Sequence, residues 1–186
     1  MTFLRIIIFL CILLFQSCTS KSVRDKAAFI SRYYAKTIIL PDFEPENVGF
    51  SGINIRNGSE PASTIVVYTD GDCGKCIIDL LLWQDFIEKH RDKLVSTTIL
   101  FIAHSWHYPS FERQLAKAGV TLPQLFDGEN EYIDLNDLHH TLLHTLLLDS
   151  TNSVVLVGSP LNNEKLTELY FREIKRLNEK PDQFRD

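Results

Sequence analysis

The sequence predicts an α/β domain: a central mixed sheet of parallel strands plus an antiparallel hairpin, flanked by helices and preceded by an N-terminal extension. Three observations predict it. Thr64–Thr69 is an unbroken apolar run, the pattern of a central parallel strand covered on both faces. That run enters a tight turn carrying Cys73-Gly74-Lys75-Cys76, then a helical stretch. Downstream come a strand–helix pair, two strands around a turn-rich tetrapeptide, and a last helix, so parallel strands precede the hairpin.

Taken in order, Met1–Ser17 reads MTFLRIIIFLCILLFQS, with Arg5 as a basic start and Ile6–Phe15 as an apolar run. This is signal-peptide length, well short of the roughly 20 residues that span a bilayer. Ser17-Cys18, a small residue and then cysteine, resembles a bacterial lipoprotein cleavage site, at which Cys18 becomes the lipidated N-terminus. Phe15 stands where the usual pattern has leucine, and Leu14 lies one place earlier. The alternatives are an ordinary secretory signal cut elsewhere and an uncleaved anchor. All three export the chain to an envelope compartment, and acylation at Cys18 holds it at a membrane by acyl-chain burial. Residues 1–17 therefore read as a lipoprotein-type signal peptide, 18–61 as an extension and 62–186 as the domain.

Within the extension, Ser22–Lys36 fits a short amphipathic helix: Ser22 and Asp25 make a capping box, and Val23, Ala27, Ile30 and Tyr34 recur at helical spacing. Thr37–Leu40 is β-branched and apolar until Pro41. Residues 41–61 hold three prolines, three glycines and Asn57-Gly58, which predicts turns with one strand at Ile53–Ile55. In the domain, Lys75–His90 is helical, with Ile77, Leu80, Leu81, Gln84 and Ile87 on one stripe and Trp83 assigned to core packing. Val95–Ala103 is a second buried strand, Pro109–Ala118 a helix closed by Gly119, and Pro123–Phe126 a short strand. Leu146–Leu148 and Val154–Val157 form the hairpin, joined through Asp149-Ser150-Thr151-Asn152. Asn163–Asn178 is the last helix, with Leu166, Leu169, Tyr170, Ile174 and Leu177 inward.

A formal net charge of −5 argues against sequence-blind nucleic-acid binding, which needs basic faces. Of the four cysteines, Cys11 and Cys18 lie in or at the end of the leader. Cys73 and Cys76 are neighbours and staple no distant segments, so the pair reads as reactive rather than structural. The first turn of a helix carries unpartnered N–H groups and partial positive charge, which stabilise a thiolate there. Cys73 then serves as nucleophile, with Cys76 one turn on as the resolving thiol. Lys75 favours the thiolate, while Asp70 and Asp72 oppose it.

Sites gather at the carboxyl ends of parallel strands. The first strand ends at Cys73, the second at His104-Ser105-Trp106-His107, and the first hairpin strand starts just after His144-Thr145. Cys73, His104 or His107, and Thr145 are expected to cluster. The two histidines would exchange protons with a thiol, ligate a metal, or simply sit in a solvated loop. His139-His140 with His144 is a His-rich patch assigned to the surface.

These residues resemble the thioredoxin-like lipoproteins of the Bacteroidales: Cys18; Ile38-Ile39-Leu40-Pro41; Val66-Val67-Tyr68-Thr69-Asp70 before Cys73-Gly74-Lys75-Cys76; Trp83; Leu147-Leu148-Asp149; Val154 to Pro160; and Leu169-Tyr170. The resemblance implies a thioredoxin-like fold and an envelope-anchored thiol–disulfide oxidoreductase facing the periplasm. It needs no cofactor, acts on a protein disulfide or dithiol, and is set by a separate redox partner. One departure stands out. Thioredoxins place a cis-proline before the first hairpin strand, whereas here Leu142-Leu143-His144-Thr145-Leu146 has none. A cis bond without proline costs about 2.5–4 kcal/mol, so a trans bond is expected. The departure leaves two alternatives open: a redox-inactive binding module on the same scaffold, and a copper- or zinc-handling protein using two thiolates and a histidine.

Overall fold

In the computed structural model, residues 21–41, 48–49 and 61–179 are described. The chain divides into two compact units, residues 1–34 and 35–186. In the first, helix α1 (Lys21–Ser31) stops short of the expected Lys36. Arg32 N–H and Tyr33 N–H bond three residues back, to Phe29 and Ile30 carbonyls, and this tighter turn ends the helix.

In the second unit, strand β2 (Ser63–Asp70) is the axis of the sheet. The other strands are β1 (Val48–Gly49), β3 (Thr97–His104), β4 (Gln124–Phe126), β5 (Thr145–Asp149) and β6 (Val154–Val157), in the order β1-β4-β3-β2-β5-β6. β2 runs parallel to β3 and β3 to β4; β5 pairs antiparallel with β2 and then with β6. Central placement explains the unbroken apolar run, since both faces of β2 are covered. Ile65 and Val67 pack with Trp83, Phe86, Phe101 and Phe111. The alternate residue Val66 is equally buried, with Ile102 and Leu146 of the neighbouring strands.

The helices are α2 (Gly74–Lys89), α3 (Tyr108–Ala118), α4 (Glu131–Asn136) and α5 (Glu164–Asn178). Gly119 at φ 77° closes α3, and Asn163 caps α5 by accepting from Leu166 N–H at 3.2 Å. β3 starts at Thr97 rather than Val95: Thr97 N–H closes a turn on the Leu94 carbonyl at 3.0 Å, which leaves Val95 exposed. Helix α4 and the short 3-10 turn Thr141–Leu143 were not anticipated. Residues 35–41 also belong to this unit, with Thr37 bridging Ser153 and Asn136 bonding both the N–H and the carbonyl of Ile39. The expected strand at Ile53–Ile55 lies outside the described residues.

Where β2 ends, the chain crosses the end of β3 at van der Waals contact. Gly71 N–H bonds the His104 carbonyl at 2.7 Å. A Cβ on Gly71 would lie 2.8 Å from Ser105 Cβ and 3.0 Å from both the His104 oxygen and Phe111 Cγ. Gly74 meets nothing within 4 Å. Gly71→Ala is therefore expected to lower unfolding free energy by about 1–3 kcal/mol through overpacking. Gly74→Ala should change it by less than about 0.5 kcal/mol, as an exposed site does. Urea denaturation of the two variants checks the contrast.

Candidate functional site

The site is built where β2 hands over to α2. The Asp70 carboxylate accepts Asp72 N–H at 3.0 Å, and the Asp70 carbonyl accepts Cys73 N–H at 3.2 Å. This turn delivers Cys73 in an extended conformation (φ −100°, ψ 108°) to the N-cap of α2, with no side-chain cap bond. Its sulfur is left unused by the helix it starts. Cys76 N–H closes the first turn on the Cys73 carbonyl at 2.9 Å. Both cysteines are half-buried free thiols.

They line a cleft of about 530 Å³. Its walls are the end of β2 with Tyr68 and Asp70, the first turns of α2 with Lys75 and Asp79, and His144-Thr145 opposite. The far rim is the loop between β6 and α5, at Ser159, Leu161 and Asn162. The backbone of the opposing wall is fixed: Tyr68 N–H bonds the His144 carbonyl at 2.7 Å, and Gly158 N–H bonds the Thr145 carbonyl at 2.8 Å. Every described peptide bond is trans, those around His144-Thr145 included.

Charge in the cleft is uneven. Burial first, then a hydrogen bond to Cys73, the charge on Cys73, and the Asp70 and Asp79 carboxylates push the Cys76 thiol up to about 12. These effects hold a proton on Cys76. Burial lowers the His144 pKa, with Asp70 opposing and His140 reinforcing the shift. Burial also raises that of Tyr68, helped by Asp70 and Asp127.

No family model matches the sequence, and no curated protein is detectably similar to it. Solved structures are. A thioredoxin-like protein solved in its oxidized form superposes with a TM-score of 0.56 at 12% identity, covering 79% of this chain and 99% of that one. A thiol:disulfide interchange protein from Bacteroides sp. gives 0.51 at 11% identity, covering 81% and 95%. The fold is thioredoxin-like.

Within that thioredoxin-like frame, Cys73, Lys75, Cys76, His144 and Thr145 line one cleft. Gly74 is the exposed first residue of α2. Asp72 turns away. Its carboxylate accepts Trp106 N–H at 3.0 Å and the Ser105 hydroxyl at 2.9 Å, and with these bonds its pKa is lowered, the nearby His104 and His107 adding to the shift. His104 and His107 do not line the cleft. His104 Nδ1 lies 2.9 Å from the Asp127 carbonyl, and His107 Nδ1 caps α3 by accepting from Ser110 N–H at 3.1 Å. His144 takes the place expected of them. It is not a surface residue of the His-rich patch, whereas His139 is exposed, near Asp134 and Asp137.

The residues that sequence reasoning missed are Tyr68, Asp127 and Asn130. Tyr68 packs edge-on against His144, with ring centroids 4.9 Å apart, and donates to Asn130 Oδ1 at 2.8 Å. Asp127 accepts Glu131 N–H and Tyr132 N–H at the start of α4. The Asp-Gly-x-Asn-Glu stretch at 127–131 was the available turn and cap signal. Among the described residues, no three His, Cys, Asp or Glu side chains converge to hold a metal. No described helix is long and apolar enough to cross a membrane, and residues 1–20, Cys18 included, lie outside the described set.

The Asp72 bonds need its carboxylate. Its folded pKa is depressed, so they persist above the ordinary value of about 3.9 and are lost only as pH falls through a lower one. In an NMR titration, the Trp106 amide is expected to inflect below pH 3.9. Asp72→Ala should abolish the inflection; one at or above that value would count against these bonds.

Proposed function

We propose that this chain is a thiol–disulfide oxidoreductase in which the Cys73 thiolate attacks a substrate disulfide and Cys76 resolves the mixed disulfide. One observation carries the reading: two free thiols share an open cleft at a helix N-terminus, where burial and nearby carboxylates oppose ionisation of Cys76. Cys73, at the N-cap with its sulfur unused by the helix, is then the one available to attack. The substrate is a protein disulfide or dithiol, and a separate redox partner resets the pair. Export on the N-terminal segment and acylation at Cys18 place the reaction at the periplasmic face of a membrane. The leader pattern and the Ser17-Cys18 junction support that part.

A second reading has one observation in its favour. The wall facing the cysteines carries His144-Thr145 without a proline, which fits a scaffold that holds a polypeptide with its cysteines silent.

Incubating reduced protein with a model disulfide separates the two. Turnover is expected to fall to the uncatalysed background in Cys73→Ser, while Cys76→Ser should trap a mixed disulfide on Cys73, visible by mass spectrometry. If Cys73→Ser turns over as fast as wild type, the oxidoreductase reading is wrong. For the anchor, Cys18→Ser is expected to move the protein from the membrane fraction to the soluble one; unchanged partitioning would rule out acylation there.

A further inference from the structure

We propose that His144 is the proton-transfer residue of the resolving step: its imidazole takes the Cys76 thiol proton and returns it to the departing substrate sulfur. This rests on the oxidoreductase reading above and concerns one step within it.

The geometry singles out this histidine. His144 lines the same cleft as Cys73 and Cys76, on the wall that faces them, with its backbone pinned by Tyr68 N–H and its ring set against Tyr68. Three neighbouring histidines do not line the cleft, and each is anchored to backbone through Nδ1: His104 at the Asp127 carbonyl, His107 at Ser110 N–H and His140 at Leu142 N–H. Among the described residues, no hydrogen bond engages either ring nitrogen of His144. The Tyr68 hydroxyl is occupied in donating to Asn130, and Asp70 accepts Asp72 N–H through one carboxylate oxygen.

The chemistry needs such a group. Cys76 cannot attack as a thiol, and burial with two nearby carboxylates opposes its ionisation. A neutral imidazole matches a proton transfer near neutral pH better than a carboxylate does. The step balances within the cleft. The Cys76 S–H bond breaks, with the proton going to the imidazole. A bond forms between the two cysteine sulfurs, while the bond between Cys73 and the substrate sulfur breaks and its electron pair leaves on the substrate. The imidazolium then protonates that thiolate. Over both steps the dithiol is oxidised by two electrons and the substrate disulfide is reduced.

The groups facing His144 set the pH dependence. Asp70 from β2 favours its protonation; burial and His140 from the preceding turn oppose it, and the net shift is downward. Lys75 and Asp79 of α2 share the cleft. The imidazole is therefore neutral at pH 7, and the base is lost as pH falls below the ordinary histidine value of about 6.5.

The test uses the reduced full-length protein and oxidised glutathione, quenched with acid and read by mass spectrometry. The mixed disulfide on Cys73 and its conversion to the internal disulfide are followed separately. In wild type, the conversion rate is expected to rise with pH and level off above pH 7. His144→Gln should form the mixed disulfide within about twofold of the wild-type rate, yet convert it about 100-fold more slowly, with no levelling off. Equal conversion rates in variant and wild type would overturn the proposal, as would formation and conversion slowed alike. The wild-type profile tests the idea without any variant: a rate still rising tenfold per pH unit through pH 8 means hydroxide, not His144, takes the proton. Absence of the internal disulfide in wild type, together with absence of a Cys73 mixed disulfide in Cys76→Ser, would overturn the oxidoreductase reading along with this step.

Discussion

The approach of Gly71 to the end of β3 is the contact on which the site depends. With its amide 2.7 Å from the His104 carbonyl and no room for a Cβ, the chain leaves β2 along a single path. That path fixes where α2 begins, and so puts Cys73 rather than its neighbours at the N-cap. It also places Asp72 against Ser105 and Trp106, so the loop after β3 is held by the cysteine turn itself. Register supports the arrangement from below: Asp70 pairs with His104, and Val67 with Thr145, so three strands present their ends to one another.

The electrostatics of the pair follow from that placement. A helix terminus contributes typically 0.3–1 kcal/mol to a charge beside it, and the effect fades within one turn. This small favourable field acts on both cysteines, but burial and the Asp70 and Asp79 carboxylates oppose ionisation of Cys76. What opposes ionisation of Cys76 is its surroundings, not the motif. Lys75 is exposed and lines the cleft without an ion pair among the described residues, so its charge is largely screened by solvent.

Much of this was legible in the sequence because it rests on period and punctuation. The run Thr64–Thr69 had to be central, Gly119 had to end a helix, and Asp149–Asn152 had to turn. Cys73 and Cys76 followed from their spacing after a strand, and the placing of Thr145 beside Cys73 from strand ends. What was not legible rests on tertiary contacts. Helix α4 has six residues, too few for a periodic stripe, and its caps acquire meaning only when Tyr68 and His104 reach them. β1 has two residues and no pattern. Val95 has the residue type of a strand but lies beyond the turn that fixes β3, so propensity lost to position.

The histidines show the same limit most sharply. By sequence, His104 and His107 sit at a strand end beside the cysteines, and His144 lies both in a polar patch and just before the first hairpin strand at the same edge. Tertiary structure keeps His144 on the cleft and anchors His104 and His107 away from it. A helix N-terminus offers unpartnered N–H groups, and His107 Nδ1 is close enough to accept one. A buried carbonyl needs a donor, and His104 Nδ1 faces that of Asp127. These contacts use Nδ1 alone and leave Nε2 of each ring; what removes both rings from the cysteines is that neither lines the cleft. The 3-10 turn Thr141–Leu143 buries Leu143 and, at the next residue, sets His144 on the cleft wall under the ring of Tyr68. Residue type and spacing therefore identify which groups are able to do acid–base work. Which of them can reach the thiols is decided by the backbone groups that anchor each ring on or off the cleft wall.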